Sequence, residues 1–247
     1  RAHVGISSQL ELAVGGHIVP PVTVGSDDVV SLQGTNGETG ISQDLAPWRN
    51  LPARIVLDGT RTIPCSGLTD GFAAATFDSQ SWSGPQGLGF LVINKTESFR
   101  YPLAHIAPIR VPGSYSLPLL VGSVIALNEY REHQLEINSQ RNLLAQLLGD
   151  IPGVTVIGDG NLESRYLSFI IDQISAEEVL RSLLKSGLSI DAGSACSPED
   201  LAPSHVIAAM GFPTTGHLRA TIHQGVTRSD IENLVNKVRE VLQTLSR

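Results

Sequence analysis

The sequence predicts an α/β protein. A larger layer of mostly parallel strands and helices is expected over residues 1–150, and a smaller α+β unit over residues 151–247. Two observations carry this. Strand-like apolar runs alternate with helix-like ones along the chain. The pattern then changes character at Pro152-Gly153, which punctuates the longest helical stretch.

The elements are expected in the following order. His17 to Val24 reads as a β stretch broken by Pro20 and Pro21, and Asp28 to Leu32 as a short buried strand followed by the glycine-rich turn Gly34 to Gly40. Arg54 to Leu57 is a strand that delivers Asp58 at its carboxyl end, where ligands sit in open α/β sheets. Gly87 to Ile93 is strand-like. A long helix is expected from Leu117 to Leu148, with Leu117, Leu120, Val121 and Val124 on one face and Leu143, Leu144, Leu147 and Leu148 repeating the pattern. In the smaller unit, Tyr166 to Ile171 is a strand. Ser175 with Glu178 has the spacing of a capping box for a helix to about Lys185, ended by Gly187. Ser189 to Ala192 leads into the Gly193–Pro203 loop, and Ser204 to Met210 is a short helix. A last helix from Thr227 carries the apolar stripe Ile231, Leu234, Val235, Val238, Val241, Leu242 and Leu245.

Composition bounds the function. With 41% hydrophobic and 17% charged residues, a packed core is expected. A net charge of −7 and only three lysines (Lys95, Lys185, Lys237) argue against general nucleic-acid binding, which needs clustered cations. Two distant cysteines, Cys65 and Cys196, do not make a disulfide scaffold, so a reducing, cytoplasmic setting is the expectation. No apolar run reaches the roughly 18 residues of a membrane span, and no signal peptide opens the chain. The chain starts on Arg1 rather than Met, so the gene product is expected to begin upstream. His105, His133, His205, His217 and His223 have no metal-ligand spacing.

Several segments carry chemistry. Ile190-Asp-Ala-Gly-Ser-Ala-Cys196-Ser197 puts a thiol on a small-residue loop, as a travelling nucleophile requires; an isolated cysteine would more simply be a small buried hydrophobe. Leu218-Arg219-Ala-Thr-Ile puts a guanidinium on a strand, where it could grip a carboxylate bidentately or be a surface charge. Thr35-Asn36-Gly37-Glu38-Thr39-Gly40 and Ile55-Val-Leu-Asp58-Gly-Thr-Arg61 follow two strands. Phe77-Asp78-Ser-Gln80-Ser81-Trp82-Ser-Gly84-Pro85-Gln-Gly87-Leu-Gly89 ends in G-P-x-G-x-G.

Together these segments resemble the cysteine desulfurases (NifS-like proteins) of class V aminotransferases, from about Asp28 to Arg247. The resemblance implies the fold type I of proteins dependent on pyridoxal phosphate (PLP), and the family reaction of sulfur transfer from cysteine through a cysteine persulfide. It makes Cys196 the nucleophile position and Arg219 the grip on the substrate carboxylate. Asp58 becomes the partner of the pyridine nitrogen. Asn36 aligns beside the position of the family's ring-contacting asparagine, which is here Gly37. Arg61 replaces a cofactor-touching glutamine, Gln80 a histidine, and Asp78 the phosphate-binding serine. Counting back from Gly84-Pro85 places the Schiff-base lysine on Ser81, whose hydroxyl cannot form an imine. His3 corresponds to the ring-stacking histidine, although a solvated terminal histidine is the simpler reading. Arg110-Val-Pro-Gly113-Ser114 resembles the turn that lends a hydroxyl, here Ser114, to a partner subunit's phosphate site. The family's phosphate-cupping N-terminal segment has no counterpart: either the gene is degraded or the segment lies outside this sequence.

Three readings stand at this point. One is a PLP-dependent desulfurase. The second is a non-catalytic homologue acting as scaffold, regulatory subunit or persulfide carrier, with PLP absent or held non-covalently. The third is a chain that completes another subunit's site. The family implies a homodimer and a sulfur-acceptor partner protein. Emptying the cofactor site would strand the Asp58 carboxylate, so Arg61 is expected to pair with it.

Overall fold

The computed structural model describes residues 16–18, 24–101, 114–158, 164–192 and 204–245. His3, Cys196 with its 193–203 loop, and the 110–113 part of the turn before Ser114 lie outside them. So does most of the expected 17–24 stretch. The chain divides into two compact units. Among the described residues, the first holds 24–34, 43–101 and 114–132, and the second holds 16–18, 35–42 and the residues from 133 onward.

The first unit is built on a four-stranded sheet in the order β1 (Val29–Gln33), β2 (Arg54–Gly59), β3 (Ala74–Asp78), β4 (Gly89–Ile93). The first three strands run parallel and β4 is antiparallel, which confirms the expected α/β class with a mostly parallel sheet. Val30, Leu32, Ile55, Leu57, Ala75 and Phe77 alternate into the buried face. Their neighbours Asp58 and Asp78 fall on the other face, at the carboxyl ends of β2 and β3. The parallel crossovers, 34–53 and 60–73, are made by turns and a short 3-10 segment at Pro47–Asn50 rather than by α-helices.

Helix α1 (Leu117–Gly149) is the long helix expected. Its residues up to Glu132 belong to the first unit. There the structure departs from the expected stripe: Leu117, Val121 and Val124 are exposed, and the buried side chains are Ser123 and Tyr130. From Leu117 to Leu127 the helix is apolar on nearly every side, so periodicity could not select a face. A hydrogen-bonding partner for Ser123 selects it instead, as described below. In the second unit the helix buries Ile137, Arg141, Leu144 and Leu148, a regular i, i+4, i+7, i+11 face.

The second unit holds an antiparallel sheet in the order β5 (Val154–Ile157), β6 (Tyr166–Ile171), β8 (His217–Thr221), β7 (Asp191–Ala192). Every residue of the central strand β6 is buried, so both of its faces are covered. One face packs Ile157 and Ile170 with Ile41, Ile207, Met210 and Phe212. Helices α2 (Ala176–Lys185) and α4 (Arg228–Leu245) bury Val179, Leu183, Ile231, Val235 and Val238. Thr227 and Asp230 cap the start of α4 reciprocally, backbone and side chain. Ser175 opens α2 without a side-chain cap, so the box read from Ser175 and Glu178 is not formed. The short helix α3 (His205–Ala209) is capped by Ser204, whose hydroxyl accepts from the Ile207 N–H at 3.2 Å. No helix among the described residues is long and apolar enough to cross a membrane.

Candidate functional site

In the first unit, the residues singled out in the sequence sit where β2 and β3 end. Asp78 closes β3 and caps a 3-10 turn over Ser79–Trp82; its carboxylate accepts from the Gln80 N–H at 3.0 Å. The carboxylate that the resemblance sets against the family's phosphate-binding serine therefore has a structural duty: it fixes the turn. Ser81 is fully buried, and its hydroxyl donates to the carbonyl of Thr60. Thr60 in turn holds Asp58: Asp58 Oδ1 accepts from the Thr60 N–H at 3.0 Å and from its hydroxyl at 2.6 Å. Asp58 Oδ1 is thus held by a local cap rather than by the expected pair with Arg61, because Thr60, two residues away, offers two donors and orders only a short side chain. Gln80 is exposed, and so is Ser114.

The turn is anchored by Trp82. Its indole is 2% exposed and donates at 3.1 Å to both the carbonyl and the hydroxyl of Ser123 on α1. Ser79 donates its hydroxyl to Ser123 at 2.8 Å. Phe90 on β4 lies against the indole, ring centroids 5.7 Å apart. The close approach explains the first glycine of G-P-x-G-x-G: a Cβ on Gly84 would come within 2.2 Å of Ser79 Oγ and 2.9 Å of its carbonyl oxygen. The motif thus persists as a packing device around a serine. The described residues do not fit a covalently held PLP. Ser81, at the position the resemblance assigns to the anchoring lysine, carries a buried hydroxyl bonded to the backbone, and one Asp58 oxygen is committed to Thr60.

In the second unit the Thr35–Ser42 turn meets β8. Asn36 Oδ1 accepts from the N–H groups of Glu38 and Thr39, at 2.9 and 3.0 Å, and from the Thr39 hydroxyl at 3.2 Å. That oxygen is saturated, and Asn36 is the hub of the turn. Gly40, at φ +73°, has no room for a side chain: its Cβ would be 2.6 Å from the Tyr166 carbonyl oxygen. Glu38 accepts the hydroxyl of Ser204. Arg219 reaches the same turn, donating from Nη1 to the Gly37 carbonyl. Its Nη2 donates to Asp191 Oδ2 at 2.8 Å. Its guanidinium carbon stands 5.6 Å from the centre of the Tyr166 ring. Asn36, Gly37 and Arg219 are therefore brought together. Sequence reasoning had not marked Asp191, Tyr166, Thr60 or Ser123. Only the strand register, Asp191 opposite Arg219 on β7 and β8, reveals the first of these.

Behind Arg219 on the same strand, His217 is buried, with Nε2 bonded to the Ser168 hydroxyl at 2.6 Å. Burial first, and the Arg219 charge second, push its pKa down to about 4. In the unfolded chain the ring titrates near 6.5. The unfolded state therefore takes up the proton first as pH falls. The stability this represents, on the order of 3 kcal/mol, is present above pH 6.5 and is lost progressively down to about pH 4. His223, lowered by burial and by Arg165, acts in the same direction. Urea unfolding measured across this window is expected to show a shallower pH slope for His217→Gln than for the parent; equal slopes would refute the assignment to His217.

The aminotransferase class-V family model matches residues 110–234. The cysteine desulfurase NifS of Azotobacter vinelandii is 29% identical over 172 residues, which is 65% of this chain and 43% of that protein. A cysteine desulfurase of Trichormus azollae is 26% identical over 242 residues, 90% of this chain and 60% of that one. A NifS-like protein from Rickettsia africae superposes with a TM-score of 0.74 at 19% identity, over 88% of this chain and 62% of that chain. The chain thus spans about three fifths or less of the length of these relatives. The structural likeness agrees with the fold expected from the sequence.

Proposed function

This chain belongs to the aminotransferase class-V family, and from that premise we propose that it is a cysteine desulfurase-type protein that has lost covalent PLP chemistry and works as a non-catalytic homologue. The observation that carries this is Ser81: a fully buried hydroxyl, tied to the Thr60 carbonyl, at the position the family resemblance assigns to the anchoring lysine. An alcohol does not condense with an aldehyde to an imine, nor does it supply the amine base that lysine supplies. The chain's lysines offer no substitute within the turn. Lys95 follows β4, Lys185 ends α2, and Lys237 pairs with Glu240 on α4 at 2.6 Å. Asp78 and Gln80 support the same reading, since one caps the turn and the other faces solvent.

The groups retained are those that handle a small carboxylate and sulfur. Arg219, to which the resemblance gives the carboxylate grip, is retained, held by the Gly37 carbonyl and standing against Tyr166. Cys196 keeps its small-residue loop in the sequence. A persulfide-carrying or scaffolding role uses such groups without a cofactor. The test is direct. With added PLP, borohydride is expected to fix the aldehyde only at surface amines such as the exposed Lys95 and Lys185, read by peptide mapping, with no sulfide release from L-cysteine. Stoichiometric, saturable capture of PLP at a single amine, or sulfide produced at a rate proportional to protein, would overturn the non-catalytic reading.

A further inference from the structure

Arg219 is not an open guanidinium. Its Nη1 is spent on the Gly37 carbonyl and its Nη2 on Asp191 Oδ2, at 2.8 Å. Its Nε is enclosed and has no hydrogen-bond partner among the described residues. The guanidinium has one remaining edge suited to a planar carboxylate, formed by Nε and Nη2. Asp191 contacts that edge through one oxygen at one of its two donors. We propose that Asp191 is a displaceable internal carboxylate, which occupies the Arg219 edge that a carboxylate ligand would take, so that ligand binding requires Asp191 to leave. The proposal rests on the reading of Arg219 as a carboxylate grip, and it adds the residue that regulates access to it.

Three features make Asp191 displaceable rather than permanent. Its side chain is 53% exposed while that of Arg219 is 13% exposed, so the carboxylate exchanges its partner for water at little cost. It lies on β7, a two-residue strand at the edge of the sheet, directly opposite Arg219. And it leaves a buried donor unsatisfied, which a bidentate ligand carboxylate would satisfy. When Asp191 leaves, the guanidinium keeps its orientation, because the Gly37 carbonyl and the Tyr166 ring hold it independently. The ligand class is therefore a small monocarboxylate, such as the carboxylate end of an amino acid. A neutral ligand gains nothing by removing Asp191, since it leaves the cation uncompensated.

The experiment titrates propionate, a monocarboxylate without further chemistry, into the ¹⁵N-labelled chain. It follows the Nε–H resonance of Arg219, assigned by its disappearance in Arg219→Lys. Asp191→Ala and Asp191→Asn are compared with the parent; both alter an exposed side chain, and the asparagine preserves its shape. The expected result is propionate binding about fivefold tighter in both variants than in the parent, the scale of a solvent-exposed ion pair. The advantage should shrink at high salt. Equal affinity in all three forms would overturn the competition by Asp191 while leaving Arg219 as a carboxylate site. No shift of the Arg219 resonance in any form would overturn the carboxylate reading itself, and the proposal with it.

Discussion

Returning the family's lysine at Ser81 is expected to destabilise the protein without restoring the cofactor. Ser81 is fully enclosed, and its environment has closed around a small hydroxyl that donates to the Thr60 carbonyl. In Ser81→Lys an ammonium replaces it, with one Asp58 oxygen already taken by Thr60. An uncompensated buried charge costs about 3–5 kcal/mol, read as a fall in the urea midpoint. Added PLP should neither recover that loss nor yield a borohydride-stable adduct at position 81, read by peptide mapping. The reason is cooperative: Asp78 caps the turn and Gln80 faces solvent, so one substitution does not rebuild a pocket. If Ser81→Lys were as stable as the parent and captured PLP covalently, the rest of the site would be competent and Ser81 alone would be responsible for the loss.

The second large effect is expected at Trp82. Its indole is 2% exposed, packs against Phe90, and donates to Ser123, so it joins the 3-10 turn, β4 and α1 within the first unit. Trp82→Ala removes that volume from a packed interior and is expected to cost about 3–5 kcal/mol. Trp82→Phe keeps an aromatic ring but loses the N–H. The Ser123 carbonyl then loses a donor, at about 1–2 kcal/mol plus the smaller ring's packing loss. Urea unfolding followed by far-UV circular dichroism measures both. A loss below about 1 kcal/mol for the alanine variant would show that the turn is not anchored through the indole.

These effects mark the boundary of what sequence reading reached. β2 with Asp58 at its end, β6 and the stripe of α4 were legible because period and punctuation agree there, whereas the long helix was legible by its length and punctuation but its first half not by its period. β3 was missed. Ala74 and Ala75 have little strand preference, and the strand exists because β2 and β4 pair with it on either side. The partner of Asp58 was also missed. A charge argument pointed to Arg61, but a threonine two residues along the chain holds one carboxylate oxygen with two donors.

By itself, the sequence determined the α/β class, the family, and the identity of Ser81 where a lysine is expected. Those rest on residue types and spacings, which the chain carries without folding. Only the tertiary structure decided what the changed residues do. Ser81 is locked to Thr60, Asp78 is a cap, and Arg219 is already paired with Asp191. Each of these is a contact whose partner is chosen by strand register or turn geometry. A linear pattern holds the groups that can form hydrogen bonds, but their partners follow from which backbone ends the fold brings within about 3 Å.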